Sequence, residues 1–164
     1  MPLDLFPPVI AYTPLAGSCA AGSRTLIATI TDGTGVPTSG IGLPVLYWKI
    51  NAAASYTAAT AVSLGSSQYQ FTFGAGSVAG DVISYYIVAH DLAATPNVAA
   101  NPSTGAAGFT ANPPAAATPP TTPNTYLNFS SLAAGTYSVG ASNIGGEAGH
   151  YATLTAAIAD YNSK

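Results

Sequence analysis

The sequence predicts an all-β protein in which two antiparallel sheets pack face to face as a sandwich. Four short segments, at 24–32, 45–51, 68–73 and 83–91, alternate apolar with polar residues and are separated by turn-forming residues. Such alternation gives each strand one inward and one outward face, and this strand spacing is typical of a β-sandwich. Only 5% of the residues are charged, so few side chains are left for acid, base, metal or phosphate chemistry. The composition therefore favours a structural or binding role over catalysis.

Each strand is predicted from its own pattern. Strand A lies in 7–14, between prolines that suit an edge strand. Strands B, C, E and F occupy the four alternating segments, a weaker strand lies in 55–64, and strand G follows at 105–110. The residues expected to point inward are Leu26, Ala28 and Ile30 of B, Leu46, Trp48 and Ile50 of C, Tyr69, Phe71 and Phe73 of E, and Ile83, Tyr85, Ile87 and Ala89 of F. Trp48 is the expected core anchor, because one large aromatic side chain fills the middle of a two-sheet sandwich.

The composition changes after strand G and divides the chain into three predicted parts. Residues 1–111 form the sandwich, and 112–124 form a linker. The linker is predicted because five of the thirteen prolines fall within it, and proline-rich segments are extended spacers. Residues 125–164 form a tail. Its predicted elements are strands at 125–129 and 135–139 and a short helix at 154–161.

The predicted helix carries one apolar stripe. Leu154, Ala157, Ile158 and Tyr161 fall at positions i, i+3, i+4 and i+7, and Thr153 is placed to cap the first turn. A helix of eight residues is too short to be stable by itself, so it is expected to dock on another surface. The stripe is therefore predicted to be an assembly surface.

The sandwich segment resembles the immunoglobulin-like and fibronectin III-like modules of large secreted bacterial surface proteins. The resemblance covers residues 7–110 and is carried by Thr29–Asp32 with Gly35 and Val36, by Leu46–Lys49, and by Tyr85–Asp91 with Pro96 and Asn97. It implies an immunoglobulin-like antiparallel β-sandwich at an extracellular, cell-surface location.

The tail resembles the N-terminal cap of a right-handed parallel β-helix. Gly135–Gly140 followed by Tyr151–Tyr161 carries this resemblance, which implies a first strand and an amphipathic helix at the end of a solenoid. The chain is then either a fragment of a longer protein, or its tail packs on its own sandwich or on a neighbouring subunit. We expect contacts between copies, or absent β-helix coils, to order the tail.

The charge distribution excludes several kinds of partner. The net charge is −3, and Arg24, Lys49 and Lys164 are the only lysines and arginines, so the chain cannot neutralise a run of nucleic-acid phosphates or an anionic membrane surface. No apolar run reaches the roughly 20 residues of a membrane span, and the start of the sequence lacks the basic and apolar regions of a signal peptide. We therefore expect neither nucleic-acid binding nor membrane insertion.

The sequence contains no catalytic motif, and we predict that the protein is not an enzyme. His90 and His150 are the only histidines, and Glu147 is the only glutamate. Cys19 is the only cysteine, so it can form neither an intrachain disulfide nor a cysteine-based zinc site. The favoured interpretation of Cys19 is an inert loop thiol, and the alternatives are a cross-link between two chains or an activated nucleophile.

Asp32 and Asp91 are the candidate metal ligands. They directly follow strands B and F, which run in the same direction, so their loops share one end of the sandwich. Two carboxylates and loop carbonyls could bind Ca²⁺, because hard cations prefer clustered oxygen ligands. The favoured interpretation is instead two Asx turns, since the loops contain no further carboxylate. We expect no cofactor, with Ca²⁺ as the alternative.

Two further sites are predicted on the surface. Tyr47, Lys49, Tyr86 and His90 lie on the outward faces of neighbouring strands and could form a carbohydrate platform, although outward tyrosine pairs are also ordinary cross-strand packing. Asn128 begins an N-glycosylation sequon, Asn128-Phe-Ser130.

Together these observations predict a non-catalytic extracellular structural or adhesive module of a bacterial surface protein. The tail adds the hypothesis of a self-assembling filament subunit, whose partners are other copies of the chain or neighbouring domains. The alternative function is a carbohydrate-binding accessory domain with glycans as partners.

Overall fold

The computed structural model describes residues 4–130, 137–140 and 149–162, and these residues fold mainly into β-strands. The strands are β1 (Val9–Ala11), β2 (Arg24–Thr31), β3 (Val45–Ile50), β4 (Thr57–Thr60), β5 (Val62–Gly65), β6 (Gln68–Phe73), β7 (Val82–His90), β8 (Val98–Asn101), β9 (Ala107–Ala111), β10 (Pro114–Thr118), β11 (Asn124–Leu127), β12 (Tyr137–Val139) and β13 (Gly149–Tyr151), and they are followed by helix α1 (Leu154–Asn162). The predicted all-β class is confirmed.

Two antiparallel sheets form the body of the protein. The first has the strand order β1-β2-β6-β5, and the second has the order β11-β7-β3-β4. β7 is long enough to pair with two strands on one edge: β11 pairs with Val82–Tyr85, and β8 pairs with Ile87–His90. The weak strand predicted at 55–64 is divided between the sheets, because β4 pairs with β3 and β5 pairs with β6. We call these two sheets the two-sheet body.

One hydrophobic core lies between the two sheets. The residues predicted to point inward from β2, β6 and β7 are buried, as are Leu46 and Trp48 of β3, whereas Ile50 at the end of β3 is partly buried. The Trp48 side chain is 9% exposed, and its ring centroid lies 6.5 Å from that of Phe73 in the other sheet. Trp48 therefore contacts both sheets, as predicted for the core anchor.

A hairpin of β9 and β10 covers the outer face of the five-stranded sheet. Ala106 and Ala116 pack against a second, smaller core formed by Tyr86, Val88 and Ala100. Tyr86 was predicted to point outward, and alternation along the strand places Val88 on the same face, but the two side chains are only 2% and 0% exposed. The prediction was wrong because it did not foresee the hairpin.

The prediction of an extended linker at 112–124 was also wrong, because β10 lies within these residues and pairs with β9. Its prolines fall where pairing tolerates them: Pro113 lies in the turn, and Pro114 is the first residue of β10. The strand predicted at 105–110 pairs with β10 and not with β7, whose edge is occupied by β8 and β11. Because β11 begins at Asn124, the first strand of the predicted tail belongs to the five-stranded sheet.

The rest of the tail, as far as the structure describes it, is a small unit of two strands and a helix. β12 and β13 pair in parallel, and α1 confirms the predicted helix. Thr153 caps α1, because its Oγ1 accepts a hydrogen bond from Ala156 N at 3.1 Å. The strand predicted at 135–139 is described from Tyr137 onward. Within the described ranges, no helix is long and apolar enough to cross a membrane.

The chain enters and leaves the two-sheet body at opposite ends of β7. At the C-terminal end of β7, Asn97 Nδ2 donates to Asp91 Oδ2 at 2.6 Å and to the backbone oxygen of Asp4 at 3.1 Å. At the N-terminal end, Asn128 N donates to Asp81 O at 2.9 Å. The nine residues of β7 separate these two points by about 30 Å. We call the C-terminal end of β7 the entry end and the N-terminal end of β7 the exit end.

Replacing Trp48 with alanine is expected to lower the free energy of unfolding by about 3–5 kcal/mol, because it leaves a cavity between the two sheets. Urea unfolding followed by circular dichroism measures this change. Phe6→Ala is the control, because Phe6 is 78% exposed, and it should change the value by about 0.5 kcal/mol or less. A Trp48→Ala protein that unfolds at the same urea concentration as the parent would contradict the assigned position of Trp48.

Candidate functional site

Three carboxylates meet at the entry end. Asp4, Asp32 and Asp91 each offer an oxygen, and these oxygens lie within 4.8 Å of one another. The structure therefore brings together Asp32 and Asp91, as the sequence predicted, and adds Asp4, which the sequence analysis did not assign. The signal for Asp4 lies in strand pairing. Val9 of β1 pairs with Thr31 of β2, so the residues before β1 run beside those after β2.

Asp91 fixes the β7–β8 connection. Its side chain is fully buried, and Oδ1 accepts hydrogen bonds from Ala93 N at 3.2 Å and from Asn97 N at 2.9 Å. Oδ2 accepts from Asn97 Nδ2 at 2.6 Å. The same Asn97 amide group donates to the backbone of Asp4, so Asp91 also positions the segment that enters the body. A buried carboxylate with three N–H donors is well satisfied without a cation.

Asp32 fixes the β2–β3 connection in the same manner. Its Oδ1 accepts hydrogen bonds from Thr34 N at 2.7 Å and from Thr34 Oγ1 at 2.8 Å, which forms an Asx turn. Gly35 follows with a φ of +94°, a conformation that favours glycine. Leu92 N donates to Gly35 O at 3.0 Å and joins this turn to the β7–β8 connection.

The chemistry open to this site is oxygen coordination or turn stabilisation. Asp4, Asp32 and Asp91 are the residues that would hold a hard cation such as Ca²⁺, which takes about six to eight oxygen ligands. The observed contacts support the favoured interpretation, since both predicted Asx turns are present and Asp91 directs its oxygens at N–H donors. Calcium binding stays an alternative hypothesis.

The predicted carbohydrate platform is not an open surface. Tyr47 and Tyr86 stack on each other, with ring centroids 5.3 Å apart and planes 19° apart, and Tyr56 packs edge-on against Tyr86 at 5.0 Å. Tyr47 Oη donates to the backbone oxygen of Pro114 in the hairpin at 2.9 Å. Burial, with smaller contributions from Tyr47 and Tyr56, raises the pKa of Tyr86 to about 12. The rings therefore form a small aromatic core beneath the hairpin.

The other two platform residues also make intramolecular contacts. His90 is 5% exposed, and its Nδ1 donates to the backbone oxygen of Asp91. Lys49 places Nζ 4.9 Å from the centroid of the Tyr56 ring, in a cation–π contact. The prediction of an exposed platform was wrong, because β10 lies over the face on which these residues were placed.

The predicted glycosylation site is buried. Asn128 is 0% exposed, and its Nδ2 donates to Ser77 Oγ at 2.9 Å and to Val78 O at 3.3 Å. The nitrogen that would accept the sugar is therefore enclosed at the exit end of the folded protein. The prediction failed because Asn128 lies directly after β11 and is held inside the two-sheet body.

The tail brings together a serine and a histidine that the sequence analysis did not pair. Ser138 Oγ and His150 Nδ1 lie 2.7 Å apart on directly opposite residues of β12 and β13. Contact between a serine and a histidine is the geometry of a nucleophile and its base. Their strand neighbours Tyr137 and Tyr151 line an open apolar cavity between α1 and the two strands. Side chains alternate along a strand, so the serine and the histidine face away from that cavity. The prediction that the chain is not an enzyme stays a prediction.

The predicted assembly residues lie on α1 as expected. Ala157, Ile158 and Tyr161 line this cavity, which has a volume of about 260 Å³ and is largely open to solvent. Leu154, Ile158 and Tyr161 are nevertheless 65%, 50% and 71% exposed. Cys19 is an exposed free cysteine in the connection between β1 and β2.

Comparison with known proteins gives no match, either among protein-family models or among curated proteins. The function proposed below therefore depends on the geometry of this chain.

Replacing Asp91 with alanine is expected to lower the free energy of unfolding by about 2–4 kcal/mol, because three partly buried N–H donors lose their acceptor and the buried side chain leaves a gap. Urea unfolding measures the effect, and Asp4→Ala is the control. Asp4 is less buried, and its carboxylate accepts one exposed hydrogen bond, from Phe6 N, so its loss should cost about 1 kcal/mol or less. Equal effects of the two substitutions would show that Asp91 is not the residue that organises the entry end.

Proposed function

We propose that the chain is a non-catalytic, load-bearing module of an extracellular surface protein, built on an immunoglobulin-like β-sandwich. The observation that carries this proposal is the path of the chain. It enters beside Asp91 at one end of β7 and leaves beside Asp81 at the other, so adjoining segments would be held about 30 Å apart. A module that is crossed from end to end can act as a spacer between its neighbours.

The strand order supports the immunoglobulin-like type. β1, β2, β6 and β5 correspond to strands A, B, E and D, and β7, β3 and β4 correspond to F, C and C′. β8 and β11 divide the place of strand G between them. The aromatic residue Trp48 on the strand that corresponds to C, packed between the sheets, fits the same arrangement.

Hydrogen bonds near the exit end support the load-bearing role. Ser18 N donates to Leu127 O at 3.0 Å, and Phe129 N donates to Ser18 O at 2.9 Å. The two segments run parallel at this bridge. Tension between the entry and exit ends would pull them in opposite directions along their length, so both bonds would be loaded together in shear rather than opened one after the other.

The low charge of the surface supports the proposal that nucleic acid and anionic membranes are not partners. The cations that the structure describes make contacts within the protein: the Arg24 guanidinium lies 4.7 Å from the Tyr126 ring centroid, and Lys49 lies over Tyr56. Arg24 also donates to Ala16 O at 2.7 Å. Such a surface offers little to nucleic acid or to an anionic membrane.

Assembly through the tail is the second candidate function. β12 and β13 pair over three residues each, and isolated two-stranded sheets and helices of this length are marginal in water. The exposed stripe of α1 gives the tail apolar surface with which to bind another copy or a neighbouring domain. The carbohydrate-binding alternative loses its main support, because Tyr86 is buried beneath the hairpin.

Single-molecule force spectroscopy on the full chain, held at its two termini, tests the load-bearing role. We expect the two-sheet body to unfold in one cooperative event with a distinct force peak. Gly17→Ala should lower that force, because the added methyl carbon would lie 2.6 Å from the Phe129 ring and disturb the bridge between Ser18 and the end of β11. Gly33→Ala is the control, since nothing lies within 4 Å of its added carbon.

Extension of the parent without a force peak would overturn the load-bearing proposal. A force that falls equally in both glycine variants would show that the bridge at Ser18 does not carry the load.

A further inference from the structure

An apolar surface lies at the entry end, around the three carboxylates. Leu5, Phe6, Ile41 and Leu92 are 68%, 78%, 68% and 57% exposed. They belong to the three segments that meet there, namely the residues after Asp4, the β2–β3 connection and the β7–β8 connection. Monomeric proteins rarely leave several large apolar side chains together in water unless the surface is used. We call these four residues the apolar cap.

A second apolar surface lies on α1. Leu154, Ile158 and Tyr161 are at least half exposed, at 65%, 50% and 71%. The inner edge of this stripe continues into the cavity under the helix, which is lined by apolar and aromatic side chains. We call these three residues the helical stripe.

We propose that the apolar cap of one copy binds the helical stripe of a second copy. This inference rests on the assembly role proposed for the tail, and it names the surface that the tail binds. The contact joins two different surfaces. The apolar cap lies at the entry end of the body, and the helical stripe lies on α1, late in the sequence. Such heterologous contacts add subunits in rows when the rotation between copies does not close a ring.

The size of the apolar cap fits an interface between proteins. A standard interface buries about 800 Å² on each partner, of which roughly 450 Å² is apolar. Four large side chains that are mostly exposed offer on the order of 100 Å² each, or about 400 Å² in total. The apolar cap therefore supplies nearly all the apolar area that one side of such an interface needs.

The helix dipole of α1 favours one orientation of this contact. α1 has no acidic residue in its first turn, so its N-terminal end, where Leu154 lies, keeps the partial positive charge of the helix dipole. The apolar cap lies at the same end of the body as Asp4 and Asp32, which are partly exposed and negative. Asp160, near the other end of α1, is engaged by a hydrogen bond from Tyr151 Oη. Docking the start of α1 at the entry end places the positive end of the helix dipole toward Asp4 and Asp32 and keeps Asp160 at the far end of the helix.

Sedimentation velocity of full-length variants tests the proposal. The cap variant carries Phe6→Ser and Leu92→Ser, and the stripe variant carries Ile158→Ser and Tyr161→Ser. We expect the parent to form species larger than a dimer as its concentration rises, whereas each variant alone stays monomeric. An equimolar mixture of the two variants should form dimers and nothing larger. The stripe variant keeps its apolar cap and the cap variant keeps its helical stripe, so only one contact per pair can form. Val62→Ser, at a residue that is 61% exposed on β5, is the control and should assemble like the parent.

Each other outcome overturns the proposal and indicates a different contact. A parent that is monomeric at every concentration shows that the two surfaces do not bind. A stripe variant that dimerises alone shows that caps bind caps, and a cap variant that dimerises alone shows that stripes bind stripes. A mixture that remains monomeric also contradicts it. If the stripe variant loses helical circular dichroism, Leu154→Ser replaces it, because Leu154 does not line the cavity. A negative result in this experiment does not affect the load-bearing proposal, which the single-molecule force measurement tests separately.

Discussion

β7 is paired on both of its edges, and this pairing sets the positions of the neighbouring strands, the hairpin and the two ends of the body. β3 occupies one edge, and β11 and β8 share the other. The inner face of β7 meets the core between the sheets, and its outer face meets the hairpin, so the strand is buried on both sides along most of its length. A strand of this kind opens only when the whole domain unfolds. β7 therefore fixes the separation between the points where the chain enters and leaves the body.

Alternation of apolar and polar residues was enough to predict the strands and the core, including Trp48. It was not enough for the outer face of β7. Tyr86 and Val88 were assigned to solvent, although the run from Tyr85 to Ala89 is apolar on both faces, which is the pattern of a strand covered on both sides. The hairpin that covers it consists largely of alanine, glycine, threonine and proline, which have no strong periodicity. The position of the hairpin over β7 depends on tertiary structure, which the pattern of a single sequence does not show.

At the carboxylate site, too, the sequence predicted some positions and missed others. Asp32 and Asp91 were placed together because β2 and β7, one in each sheet, run in the same direction and end at the same end of the sandwich. Asp4 was missed because its position depends on the pairing of β1 with β2. Asn128 was interpreted from a three-residue sequon, which contains no information about burial, and its amide instead holds the exit end together. Local motifs predicted the chemistry of these side chains, whereas strand pairing decided what each one contacts.

The central claim is that the chain crosses the two-sheet body from one end to the other. Distance measurement by double electron–electron resonance tests it most directly, with nitroxide labels on Pro7→Cys and Ser130→Cys in a Cys19→Ser protein. The exposed Pro7 lies near the entry end, and Ser130 follows the exit end. The account predicts a single narrow distribution centred at about 30 Å or more, the length of nine extended residues. A distribution centred below about 15 Å, half that length, would place entry and exit on the same side and contradict the account.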